Sequence, residues 1–150
     1  MAFNFAAGEN SGVLKWPSSI LETTYATSVG EEANSNSNYQ TFINNTVTIL
    51  SSTSHKIIIV SAIRLVCHDM EANFRISDGL GSVTPRFRVN GLSNDTFNNP
   101  CLTWYWDQAH TAGENITFSC QCRDGGGDSG NVIWGDNNAK SVMTVIEIEP

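Results

Sequence analysis

The run Asn115-Ile116-Thr117-Phe118-Ser119-Cys120-Gln121-Cys122 alternates apolar and small polar residues without a break. Successive side chains of a β-strand point to opposite faces. The run therefore reads as a strand with Ile116, Phe118, Cys120 and Cys122 on one face and Asn115, Thr117, Ser119 and Gln121 on the other. The same period recurs on either side of it. Thr41–Leu50 sets Ile43, Val47 and Ile49 against Asn44, Thr46 and Thr48. Ser141–Ile148 sets Val142, Thr144, Ile146 and Ile148 against Met143, Val145 and Glu147. Lys56–Val66 is apolar on both faces, as a central strand covered on both sides would be. Asn73–Ser77 ends in Asp78-Gly79, a strong turn signal. Val83–Val89, Cys101–Trp106 and Asn131–Trp134 complete about eight strands separated by turn residues. The expected fold is all-β: a jelly-roll-like sandwich of antiparallel strands.

Composition agrees. Val, Ile and Thr number 10, 12 and 13, against three Lys and seven Leu. β-Branched residues are stiff at χ1 and suit a pleated surface. Asn, Ser and Thr together supply 45 of the 150 residues, which favours turns and an uncharged polar coat. The length fits one domain. Residues 1–25 lack a consistent period but carry Phe3, Phe5, Val13, Leu14, Trp16, Ile20 and Leu21. They read as an N-terminal arm for docking that lies against either its own domain or a neighbour, with the sandwich spanning 26–150. Glu31–Asn38 reads as a polar loop.

Charge excludes whole classes of partner. Fifteen acidic residues outweigh eight basic ones, for a net charge of −7. Phosphate-backbone affinity needs clustered Lys and Arg, so nucleic acid is not expected. Docking on anionic lipid fails for the same reason. The longest apolar run, Ile57–Val60, is far short of the roughly 20 residues that span a bilayer. Met1–Asn10 has neither the basic nor the apolar region of a secretory signal.

Candidate chemistry is sparse. Cys67, Cys101, Cys120 and Cys122 do not form the paired Cys-x2–4-Cys spacing of a zinc site. They read as buried free thiols, with a Cys67–Cys101 disulfide as the alternative. Gly127-Asp128-Ser129-Gly130 matches the tetrapeptide around the nucleophile of chymotrypsin-like proteases, and His68-Asp69 lies upstream. A triad needs geometry and a buried carboxylate as well as those letters, so the segment reads as a glycine-rich loop. Asp124, Asp128 and Asp136 lack the ligand spacing of a calcium loop. No cofactor, metal or catalytic residue is expected. Trp104, Tyr105 and Trp106, with His110 beyond them, are the one group suited to stacking on a sugar ring. In a strand, Trp104 and Trp106 would share one face, which is more commonly core.

Several segments, taken in order, resemble a known family. They are Gly12-Val13-Leu14, Val47-Thr48-Ile49 running through Ser51-Ser52-Thr53-Ser54 into Lys56–Val60, Phe74–Gly79, and the closing Ser141–Ile148. This order resembles the tail-fibre-like β-sandwich domains of tailed-bacteriophage (cyanophage-type) virion proteins. Ser77 stands where that family commonly has Arg, and Asn90–Ala112 matches poorly. The resemblance implies a non-enzymatic protein on the virion surface, made in the host cytoplasm and commonly trimeric. One sandwich with a short arm leaves little room for a fibre shaft. A capsid decoration, cement or knob protein docked on the major capsid protein is therefore the expectation. The alternative is a tail-fibre or spike tip, next to tail or baseplate proteins and facing a host-surface glycan.

Overall fold

The alternating run around Phe118 lies at the middle of a strand with partners on both sides. The computed structural model describes residues 19–28, 32–34, 38–61, 65–67, 71–85, 87–90, 96–98, 101–124, 132–134 and 141–149. They form β1 (Ser19–Ser28), β2 (Glu32–Asn34), β3 (Gln40–Thr48), β4 (His55–Ser61), β5 (Leu65–Cys67) and β6 (Glu71–Ser77). There follow β7 (Phe87–Asn90), β8 (Thr96–Asn98), β9 (Leu102–Trp106), β10 (Asn115–Asp124), β11 (Val132–Trp134) and β12 (Ser141–Glu149). Every pairing is antiparallel.

Two four-stranded sheets make the sandwich. The first runs β1-β12-β4-β9 and the second β3-β10-β6-β7. Counting only these eight strands in chain order, the sheets read 1-8-3-6 and 2-7-4-5. That is a jelly roll: the chain changes sheet at every connection except the β6–β7 hairpin. The four remaining strands form a third sheet, β2-β11-β5-β8. Each comes from a different connection, and all four connections leave the same end of the sandwich. The pairs Ser28↔Ser141, Ser61↔Val142, Cys122↔Gln40 and Asp124↔Ala72 mark that end.

The core lies between the two large sheets. Ile58, Val60, Leu102, Trp106, Met143 and Val145 come from the first. Val47, Phe74, Ile76, Ile116, Phe118, Cys120 and Cys122 come from the second. Phe118 meets the rings of Trp106 and Trp104 edge-on, at centroid distances of 5.5 and 6.2 Å. Such pairs add about 0.5–1.5 kcal/mol beyond area burial.

Four expectations are corrected. Ile20 and Leu21, read as arm, lie in β1, which pairs with β12 along its length. A register shift between Ile20 and Glu22 breaks the alternation there. The inward positions beyond it include Glu22, Thr24 and Ala26, so no apolar period shows. The remaining arm residues, Phe3, Phe5, Val13, Leu14 and Trp16, lie outside the described residues. Lys56–Val66 is not one strand: β4 ends at Ser61 and β5 joins the third sheet. The strand expected from Val83 begins at Phe87, with Val83 making only an isolated bridge to Ser77. Pro85 between them has no N–H to give to the ladder. Finally, the supposed loop Glu31–Asn38 contains β2.

The Asp78-Gly79 turn does more than reverse the chain. Asp78 is buried, and its Oδ1 accepts the N–H groups of Leu80 at 2.8 Å and Ser82 at 3.0 Å. Its Oδ2 accepts the Trp106 indole N–H at 3.0 Å. One carboxylate thus closes the hairpin of the second sheet and anchors the largest core side chain of the first. Gly79 takes φ +72°, the left-handed region that glycine enters without strain. Replacing Asp78 with Ala orphans the buried indole donor and two turn amides. We expect a loss of about 3 kcal/mol, read as a lower urea midpoint with unchanged m-value.

Candidate functional site

Two regions carry chemistry: a buried polar cluster at the end opposite the third sheet, and the outer face of the first sheet.

The cluster centres on Glu147 of β12 and Lys56 of β4, which are paired in register on the inward face. Their ion pair spans 3.3 Å, with side-chain exposures of 4% and 0%. The Glu147 carboxylate also accepts the N–H groups of Leu50 at 3.0 Å and Ser51 at 3.2 Å, and the Ser54 hydroxyl. Lys56 donates to Ser54 Oγ at 2.6 Å and lies 5.5 Å from the Trp106 ring centroid. From the β9–β10 connection, His110 places Nε2 3.0 Å from the Ser51 carbonyl and 3.4 Å from Lys56 Nζ. Its Nδ1 lies 2.6 Å from the Gln108 carbonyl. Backbone bonds between Ile49 and the Gly113–Glu114 pair, each 2.8 Å, lace the two connections together.

Burial alone would raise the Glu147 carboxyl. The Ser54 hydroxyl, the Ser51 N–H, the Lys56 charge and the Leu50 N–H outweigh it and hold the group below the usual carboxylate range. Burial lowers the Lys56 amine, opposed by Glu147. A serine hydroxyl beside a lysine amine is one way to activate a nucleophile. Here Ser54 and Lys56 are both 0% exposed, and Glu147 holds them both. No reacting group reaches them, and the cluster acts as a clamp. Among the described residues, no group of three His, Cys, Asp or Glu side chains could hold a metal ion.

The aromatic residues singled out in the sequence do not form one surface. Trp106 is 0% exposed and Trp104 is half-buried against Phe118. Tyr105 points the other way, 53% exposed, with its ring 5.3 Å from that of His55. His110 belongs to the clamp. Cys120 and Cys122 are buried, with Cys122 Sγ 3.8 Å from the Arg123 carbonyl, and burial pushes the Cys120 thiol well up. Cys101 is exposed and free. The Cys67 side chain, His68, Asp69, Asp128 and Ser129 lie outside the described residues.

Tyr105 belongs to a larger surface that the sequence reading did not assemble. Register places Thr23, Ile146, Ile57 and Tyr105 in one row across the outer face of the first sheet. Tyr25, Thr144, Ile59 and Thr103 form the next. Tyr25 is 76% exposed. Neither row holds an acidic or basic residue. The outer face of the second sheet is different. Cross-strand hydrogen bonds join Thr46 to Thr117, Asn115 to Thr48 and Ser119 to Asn44, each at 2.7–2.8 Å. Arg75 donates to Gln121 at 2.7 Å, and its guanidinium lies 3.9 Å from the Tyr39 ring centroid.

By sequence, no protein family and no curated protein matches the chain. By structure, it is similar to VP2 in the crystal structure of the infectious bursal disease virus VP2 subviral particle. The TM-score is 0.56 at 12% identity, over 99% of this chain and 37% of that one. A chain in the structure of the infectious bursal disease virus Gx strain gives a TM-score of 0.48 at 13% identity, over 98% of this chain and 36% of that one. The likeness is one of fold, and the chain spans little more than a third of the length of these neighbours.

Removing both halves of the clamp should cost less than the sum of removing each alone. Lys56→Met leaves a buried carboxylate without its countercharge, and we expect a loss of about 3–5 kcal/mol. Lys56→Met with Glu147→Leu should lose clearly less than the two single losses combined, as a double-mutant cycle in urea will measure. Acid should weaken the same clamp. A depressed folded pKa contributes stability that is present above the unfolded value, about 4.3, and is lost as pH falls through the folded value. The stability gap between wild type and Glu147→Gln should therefore narrow as pH is lowered through and below the carboxylate range.

Proposed function

We propose that this chain is a non-enzymatic structural subunit of a virus particle, a surface protein of a tailed bacteriophage that decorates the capsid. The observation that carries the reading is the strand order, 1-8-3-6 and 2-7-4-5. The reading is supported by the likeness in fold to VP2 of a subviral particle, at a TM-score of 0.56 over 99% of this chain. The ordered resemblance of Val47–Val60, Phe74–Gly79 and Ser141–Ile148 to phage virion sandwiches supports the finer assignment.

The mechanism is mechanical. A subunit on a pressurised shell must keep its shape while it is pulled at its contacts. The clamp at one end and the third sheet at the other tie the connections together. In this reading the N-terminal segment with Phe3, Phe5, Val13, Leu14 and Trp16 supplies the apolar contact with the major capsid protein. The assembled unit is the trimer that the resemblance implies.

Cryo-microscopy of purified particles tests the assignment. Density for this sandwich on the capsid lattice is expected. Density confined to the tail would move the chain to the tail-fibre or spike-tip class, and its absence from particles would sink the virion reading. A binding assay tests the arm. Full-length protein carrying Phe3→Ser, Phe5→Ser and Trp16→Ser should bind capsids at least about a hundredfold more weakly, since each buried aromatic contributes about 1.5–3 kcal/mol. Its thermal midpoint should stay unchanged. Undiminished binding would remove the arm from the mechanism.

A further inference from the structure

We infer that the outer face of the first sheet is a contact surface between copies of this chain. Four strands at about 4.8 Å spacing and a nine-residue β12 at about 3.3 Å per residue give a face of roughly 19 by 30 Å. That footprint, roughly 570 Å², is close to one partner's share of a small specific interface.

Polarity and charge identify the occupant. Ile57, Ile59, Val142 and Ile146 stand half-buried on this face, between Tyr25 at 76% and Tyr105 at 53% exposure. An exposed apolar stretch of this extent marks an interaction site rather than a solvated surface. The opposite outer face, with its Thr, Asn and Gln ladders and Arg75, is built for water. A second copy carries the same net charge of −7, so two copies repel wherever acidic surfaces approach. The first-sheet face carries no Asp, Glu, Lys or Arg at the outward positions of its four paired strands. Among the described residues, it is a large surface on which two such chains can meet without that cost. The inference rests on this face alone: a chain that self-associates but is absent from particles would keep it and lose the particle reading.

Sedimentation velocity on the full-length protein decides the matter. Wild type should self-associate in the micromolar range. Added salt should strengthen the association, because it screens the repulsion between copies while the contact itself is uncharged. Tyr25→Glu with Tyr105→Glu should weaken it at least about tenfold, with the thermal midpoint unchanged. Thr46→Glu, on the outer face of the second sheet, should associate like wild type. Hydroxyl-radical footprinting of wild type covers the case of a variant that misfolds. Tyr25 and Tyr105 should be reactive in dilute protein and protected in concentrated protein. Four results would overturn the proposal. They are a monomer throughout the range, an association that salt dissolves, a Tyr25/Tyr105 variant that associates like wild type, and tyrosines protected at every dilution. The last would mean that the chain's own N-terminal segment occupies the face.

Discussion

The Glu147 carboxylate is where the loop end of the sandwich is held. It sits on β12, the last strand, between β1 and β4 in the first sheet. From there it takes the backbone N–H groups that follow β3, the Ser54 hydroxyl and the Lys56 ammonium. A buried carboxylate is tolerable only with such a full set of partners. The β3–β4 connection must therefore adopt the one shape that presents them, and His110 and the Gly113 turn follow from it. Asp78 repeats the device at the same end, tying the β6–β7 hairpin to Trp106. Two acidic side chains thereby help set the geometry of three connections.

The other end is closed by a different means. There the four connections contribute one short strand each, and these strands pair with one another through the backbone. The two ends leave the outer faces of the sandwich free to differ, and they do. One is laddered with hydrogen-bonded side chains, and the other is lined by isoleucine, threonine and tyrosine. A domain with one solvated face and one uncharged apolar face has a direction in which it can pack on neighbours.

Strands with a regular face were legible in the sequence. The alternations at Asn115–Cys122 and Ser141–Ile148 became β10 and β12 with bounds nearly as read, because a period of two survives wherever one face meets a core. β1 was hidden, since its register shift resets the period and its inward residues beyond the shift, Glu22, Thr24 and Ala26, are polar or small. β2 and β8, at three residues each, are too short to show a period at all. The double-faced apolarity of Lys56–Val66 spanned two strands of different sheets, and nothing in a local pattern marks a change of sheet. Of the candidate site residues, Trp104 and Trp106 followed the more common fate of a shared strand face and turned inward. Tyr105, flanked by both, is the ring left outside.

The sequence by itself determined the class of the protein: all-β, built from alternating strands, polar in its turns, and acidic overall. These follow from local chemistry, from side-chain branching, periodicity and charge, and need no long-range contact. Only the tertiary structure decided which strands are neighbours and where Lys56 and Glu147 go. They stand 91 residues apart in the chain and oppose one another across β4 and β12. Only the tertiary structure, too, gathered Tyr25, Ile57, Tyr105 and Ile146 onto one face. Each is an unremarkable residue in its own strand. They become a surface because antiparallel register across four strands lays them side by side, and register is a property of the pairing rather than of any strand alone.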